Sequence, residues 1–427
     1  MKKLLIYMAL LSIVIGIFLP FSLAKTPENT LTSDYIAHRF VMPASNGDYD
    51  GTERPIIMFA PANIDSSKEY PLILYFHGYN YNLNAETDVN GIINMTSNQT
   101  SNYIKILNQV LINEQKKREE AKDWVVLMID GTNCLNGTFF IDSSYTGALG
   151  QWAVEEIPNY IEKTYGIKFS QNPYKRALTG HSMGAYAALR LSQIYSPTVA
   201  ENVSYGIVAA NNPVTSWIAS SGLTLKVVAE NERDDKGMLE YKFDNSVVKD
   251  EVSTENGLYS WTIPKLTNIL FALSAVMDKN SIRNYNKVSN TYSVCSSEDE
   301  NIDFVLNPYG MINPKDLLDW LVNDVSDNIL KTPAIWKDSY IYFDGQAAGY
   351  DDEYNLQYNA KYLDNLLNQI NKQTKDFDIN FTPSFYPNKE DKDFYTEKLE
   401  DRKHTHFYEL TYRTEKAFDF IAEKMGE

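Results

Sequence analysis

Arg176-Ala177-Leu178-Thr179-Gly180-His181-Ser182-Met183-Gly184-Ala185-Tyr186-Ala187-Ala188-Leu189-Arg190-Leu191 decides how the chain is read. Residues 176–180 read as a short strand and residues 184–195 as a good helix. Between them stands Gly-x-Ser-x-Gly, the pattern of a sharp strand-to-helix turn. Both glycines are needed because a Cβ at either place would crowd the neighbouring backbone. Such a turn lifts the Ser182 hydroxyl above the sheet edge, where a base can reach it. It also sets the Met183 N–H at a helix N-terminus, aimed at a developing oxyanion.

The same alternation extends in both directions. Residues 56–62, 72–77, 124–130, 205–210, 340–343 and 379–386 read as further strands. Most are near-continuous apolar runs, as strands covered on both faces should be. Helical periodicity occupies residues 102–122, 150–165, 355–371 and 407–424 between them. Strand and helix in alternation predict an α/β fold, with a mainly parallel central sheet flanked by helices. The rhythm breaks over residues 220–334, which are charged, polar and mixed in pattern, with a buried helix expected at 266–276 and an amphipathic one at 314–325. Acidic or polar loops are expected at 231–236 and 296–301. A structureless loop of that length is improbable. We read an inserted cap or subdomain within a single domain spanning residues 35–427.

Composition narrows the function. The 427 residues carry 39 Lys plus Arg against 56 Asp plus Glu, a net charge of −17. That balance repels polyphosphates and argues against nucleic acid. Two cysteines, Cys134 and Cys295, cannot build a disulfide scaffold, although they could pair in an oxidising compartment. No His-Glu-x-x-His helix or paired-Cys ligand set occurs, so neither metal nor cofactor is implied. At the N-terminus, Lys2 and Lys3 precede an uncharged stretch ending in Ser22-Leu23-Ala24. Residues 1–24 therefore read as a secretory signal peptide, with an uncleaved membrane anchor as the rival. A secreted or extracytoplasmic protein is expected. Sequons at Asn94, Asn98, Asn136, Asn202 and Asn380 matter only where the host glycosylates its secreted proteins.

A serine hydroxyl needs a base and an orienting acid, which in this type of fold follow it in the order Ser, acid, His. Only His404 and His406 follow Ser182 among the five histidines. His404 is preferred, because the spacing of Tyr408, Tyr412 and Ala417 then lays the last helix on the sheet. The acid should follow the strand at 340–343. Asp352, in Gly349-x-x-Asp352 just before a helix, is favoured, with Asp351 and Asp344 as alternatives. The second oxyanion donor is expected from the Tyr79 N–H, after the strand ending His77-Gly78. His77 and His181 read as scaffold residues, and His38 has no obvious partner.

Together these residues resemble the esterase family of the α/β-hydrolases that includes S-formylglutathione hydrolase (esterase D), feruloyl and enterochelin esterases and the antigen 85 mycolyltransferases. The likeness runs through Tyr70-Pro71-Leu72, His77-Gly78, Ile129-Asp130-Gly131, Tyr145-Thr146-Gly147, Glu155-Glu156-Ile157-Pro158, the Gly180–Gly184 turn and the chain from Tyr340 onward. It departs where Ala185 replaces a frequent second glycine, and where Arg402-Lys403 rather than a glycine precedes His404. The resemblance implies an α/β-hydrolase fold and a serine carboxylic-ester hydrolase working through an acyl-enzyme on a small-molecule or polysaccharide ester. The alternatives are an acyltransferase of the antigen 85 type and a non-catalytic binding protein with the same fold. A membrane is a partner only if the N-terminal segment stays uncleaved.

Overall fold

The computed structural model describes residues 35–42, 54–133, 135–217, 309–346, 356–386 and 410–426. Within 218–308 it describes residues 233, 235–239, 266–279, 281, 285–286, 291–292, 302 and 304–307. The leader at 1–24, Cys134, Cys295, the loop at 296–301, Asp351, Asp352, His404 and His406 lie outside the described residues.

Eight strands form the central sheet: β1 (Tyr35–Met42), β2 (Arg54–Pro61), β3 (Leu72–Phe76), β4 (Val125–Ile129), β5 (Arg176–His181), β6 (Ile207–Asn211), β7 (Tyr340–Gln346) and β8 (Asn380–Tyr386). Their spatial order is β1-β2-β4-β3-β5-β6-β7-β8. β2 runs antiparallel to β1 and to β4. Every pairing from β4 to β8 is parallel. The strand before Ser182, β5, thus sits centrally, between β3 and β6. Every residue of β3, β4, β5 and β6 is buried, which is why those strands lack a polar alternation.

Helices cover both faces. On one lie α1 (Asn102–Lys117) and α8 (Leu410–Gly426). Their apolar stripes join Ile73, Tyr75, Val126, Met128, Ala177, Ala209 and Tyr342 in one core layer. On the other lie α2, which runs from Leu149 through a π-helical turn (Trp152–Glu156) to Tyr165, then α3 (Met183–Ile194) and α7 (Gln357–Gln373). They pack with Leu72, Leu74, Phe76, Leu127, Leu178, Val208 and Phe343. Alternate residues of one strand therefore enter opposite layers, as a period of two requires. Each large apolar side chain so buried contributes on the order of 1.5–3 kcal/mol.

The described residues of 220–334 form three helices, α4 (Leu266–Met277), α5 (Pro314–Val322) and α6 (Val325–Lys331), and a short antiparallel pairing of Tyr285–Asn286 with Thr291–Tyr292. The amphipathic pattern expected at 314–325 is two helices. Asp324 caps the second, its carboxylate accepting the Asp327 N–H at 2.8 Å. These helices are continuous with the α3-side core through Leu270, Phe271, Val276, Trp320, Val325 and Ile329. Tyr186 of α3 donates its hydroxyl to the Asn323 carbonyl at 2.8 Å. The strand of the central sheet missing from the sequence reading is β1, an edge strand paired on one side only. His38 on β1 does have a partner: its Nε2 lies 2.8 Å from the Asn90 carbonyl oxygen.

Candidate active site

Ser182 stands between β5 and α3 with φ 57° and ψ −117°. A non-glycine residue pays for such a backbone, and strain of this kind survives only where the surroundings enforce it. Here they do. The Ser182 N–H donates to the Asn211 carbonyl at the end of β6 at 2.9 Å, and its own carbonyl accepts from Tyr186 N–H at 2.9 Å, opening α3. A Cβ on Gly180 would meet the Phe76 carbonyl and lie 2.7 Å from the Gly184 carbonyl carbon. A Cβ on Gly184 would fall on the Phe76 carbonyl and lie 2.8 Å from the His77 oxygen. The turn therefore closes directly onto the end of β3. Ser182 itself stays partly exposed while His181 and Met183 on either side are buried.

The loop after β3 arrives beside Ser182. A Cβ on Gly78 would be 3.5 Å from the Ser182 Cβ, and one on Gly137 would be 2.5 Å from the Tyr79 ring and 2.7 Å from the Met183 sulfur. The structure thus brings Ser182, Met183 and Tyr79 together around the Gly137 turn. Met183 is the first residue of α3, so its N–H belongs to the group a helix leaves without an internal acceptor. The Tyr79 hydroxyl is shared between the Leu135 carbonyl at 2.7 Å and the Asn268 carbonyl of α4 at 2.9 Å. Burial pushes this phenol well above the usual tyrosine range, so it remains a donor.

Two histidines near the turn are scaffold. His77 is fully buried. Its Nδ1 faces the Gly78 carbonyl at 2.7 Å, which can only accept, and its Nε2 receives the Gly131 N–H at 2.9 Å. Those two bonds define the neutral Nδ1–H tautomer, which leaves no proton to share with Asp130 Oδ1 at 3.5 Å. His181 Nδ1 lies 2.7 Å from the Tyr103 hydroxyl on α1.

Asp344, one of the alternative acids, is held by partners of its own. It is fully buried on β7. It accepts from Asn212 N–H at 2.7 Å, Asn211 Nδ2 at 2.8 Å and Arg413 Nε at 2.9 Å, and it pairs also with Arg413 Nη2. Both oxygens are thus engaged. Burial alone would depress the Arg413 guanidinium, but the Asp344 charge and hydrogen bonds outweigh it and hold its pKa above the ordinary arginine value. Sequence reasoning missed Arg413 and Asn211. The available signal was a lone arginine on the apolar stripe Leu410, Ala417, Phe418 and Ile421 of the last helix, buried with them. Among the described residues, no group of three or more His, Cys, Asp or Glu side chains is arranged to hold a metal ion.

Residues 49–376 match the family model described as "Putative esterase". The chain belongs to this esterase family of α/β-hydrolases and is a carboxylic ester hydrolase. No curated protein matches it in sequence. Among solved structures, it is similar to a ferulic acid esterase (13% identity, 92% of this chain and 100% of that chain, TM-score 0.46). It is also similar to an S-formylglutathione hydrolase from Agrobacterium tumefaciens (13%, 93% and 98%, TM-score 0.47) and to one from Staphylococcus aureus (12%, 92% and 100%, TM-score 0.41).

Proposed function

We propose that the protein is a secreted serine esterase whose nucleophile is Ser182. The observation that carries this reading is the Ser182 backbone at φ 57°, braced against β3 at the start of a helix. The Ser182 oxygen attacks the ester carbonyl, and His404 takes its proton and returns it to the leaving alcohol. Asp352 orients the imidazole. The assignment of these two rests on chain order: Asp352 follows the end of β7 by six residues, and His404 precedes the start of α8 by six. The Met183 and Tyr79 N–H groups stabilise the oxyanion, each contributing on the order of 3 kcal/mol. Water then releases the acyl group. Residues 1–24 act as the export signal, and the insertion at 220–334 shapes the substrate site as a cap.

A fluorophosphonate probe should label the wild-type protein and leave Ser182→Ala unlabelled. That variant should also lose about 10⁴- to 10⁶-fold in kcat toward p-nitrophenyl acetate while remaining folded. Undiminished hydrolysis by Ser182→Ala would remove the assignment. With a histidine base, the rate should fall as pH drops below about 6.5. A profile flat from about pH 5 to 8 would exclude such a base.

A further inference from the structure

Three strand ends lie level beside the nucleophile. His181 on β5 pairs with Asn211 on β6. Phe343 on β7 pairs with Ala210, which sets Asp344 level with Asn211. Residues two positions earlier on these strands, Thr179 apart, belong to the layer shared with α1 and α8: Ala209 and Tyr342. The period of two therefore turns Asn211 and Asp344 to the same face, and Arg413 of α8 meets them there. Asn211 is the joint. Its main-chain carbonyl accepts the Ser182 N–H at 2.9 Å. Its side-chain amide donates to Asp344 Oδ2 at 2.8 Å and to the Arg413 carbonyl at 3.1 Å. The next residue, Asn212, has φ 56°, and its N–H is held by Asp344 Oδ1 at 2.7 Å.

A buried ion pair is a poor way to gain stability, because desolvation consumes much of the attraction. What a two-pronged Arg–carboxylate contact supplies is fixed geometry. We propose that Asn211, Asp344 and Arg413 are positioning residues for the nucleophile: they fix the strand end that accepts the Ser182 N–H, and through it the backbone that presents the hydroxyl. They act on it through the Asn211 main chain. This role rests on Ser182 being the nucleophile.

The test uses the full-length protein with Asn211→Ala and Arg413→Lys, and with Ser182→Ala as control. Asn211→Ala keeps the carbonyl that accepts from Ser182, the Asp344–Arg413 contact and the Asn212 N–H bond to Asp344, but it removes the side-chain ties from Asn211 to Asp344 and to the Arg413 carbonyl. Three quantities are measured: the rate constant of fluorophosphonate labelling, kcat and KM for p-nitrophenyl acetate, and the thermal midpoint. A displaced reacting group costs on the order of 10- to 100-fold in rate. Asn211→Ala should show that loss in both kcat and labelling rate, with KM within about twofold and labelling still confined to Ser182. Arg413→Lys should lower the same two rates by less, since a lysine keeps the charge but not the second prong. Wild-type labelling and kcat in whichever of these variants folds would overturn the proposal and leave the network a purely structural one. Persistent labelling of Ser182→Ala would instead remove the nucleophile assignment, so the two failures are distinguishable.

Discussion

The Ser182 turn and the Asp344–Arg413 contact stand at the ends of β5 and β7, with β6 between them, and they are held in opposite ways. Around Ser182 the chain is held by the absence of side chains: Gly180 and Gly184 let the turn close on the Phe76 carbonyl. Around Asp344 it is held by charge, through a carboxylate and a guanidinium 69 residues apart and both buried. The first device is local and steric, so any added atom damages it. The second is long-range and electrostatic, so damage depends on whether one partner or both are removed.

Gly184→Ala should therefore be the most damaging single change outside the chemistry. The new Cβ has only backbone to displace, that of Phe76 and His77, and backbone at a strand end cannot move as a side-chain tip can. A loss of at least about 3 kcal/mol is expected, or failure to fold. An unchanged urea midpoint would show that the steric account is wrong.

The ion pair predicts a different signature. Arg413→Met alone strands the Asp344 charge in the core and should cost about 3–5 kcal/mol. Adding Asp344→Asn removes the stranded charge while keeping an oxygen for the Asn212 N–H. The double variant should recover about 1–2 kcal/mol relative to Arg413→Met. Strict additivity in denaturant titrations would show that the two groups do not depend on each other. No such recovery is available at Gly184, where nothing charged is left behind.

The same contrast explains what could be read before the fold was known. The steric device is written in five consecutive residues, and the apolar runs of β2 to β7 announce a sheet covered on both faces. Those strands, the helices and the turn around Ser182 were accordingly legible. β1 was not, because its His38 and Arg39 break the apolar run. The Asp344–Arg413 contact was illegible for a different reason. An arginine in a helix reads as solvated unless its neighbours on the apolar stripe are weighed, and a partner 69 residues away leaves no trace in local spacing. Local spacing therefore offers Asp344 as a spare acid, while in the fold both its oxygens are already committed.

Tyr79 offers the smallest and most diagnostic change, because it joins the surroundings of the turn to α4. Its ring packs against Gly137 beside Met183, while its hydroxyl reaches the Leu135 carbonyl and the Asn268 carbonyl of α4. Tyr79→Phe keeps the ring and the backbone N–H and deletes one buried donor shared by two acceptors. The stability cost should be about 1–2 kcal/mol, the usual penalty for leaving a buried carbonyl short of a donor. If the insertion helps to hold the oxyanion donor in place, kcat should also fall, by about 3- to 30-fold, with KM nearly unchanged. A variant with the expected loss of stability but wild-type kcat would separate the two regions. The hydroxyl would then merely fasten α4 to the core, and the oxyanion site would owe its geometry to the Gly78 and Gly184 backbone contacts alone.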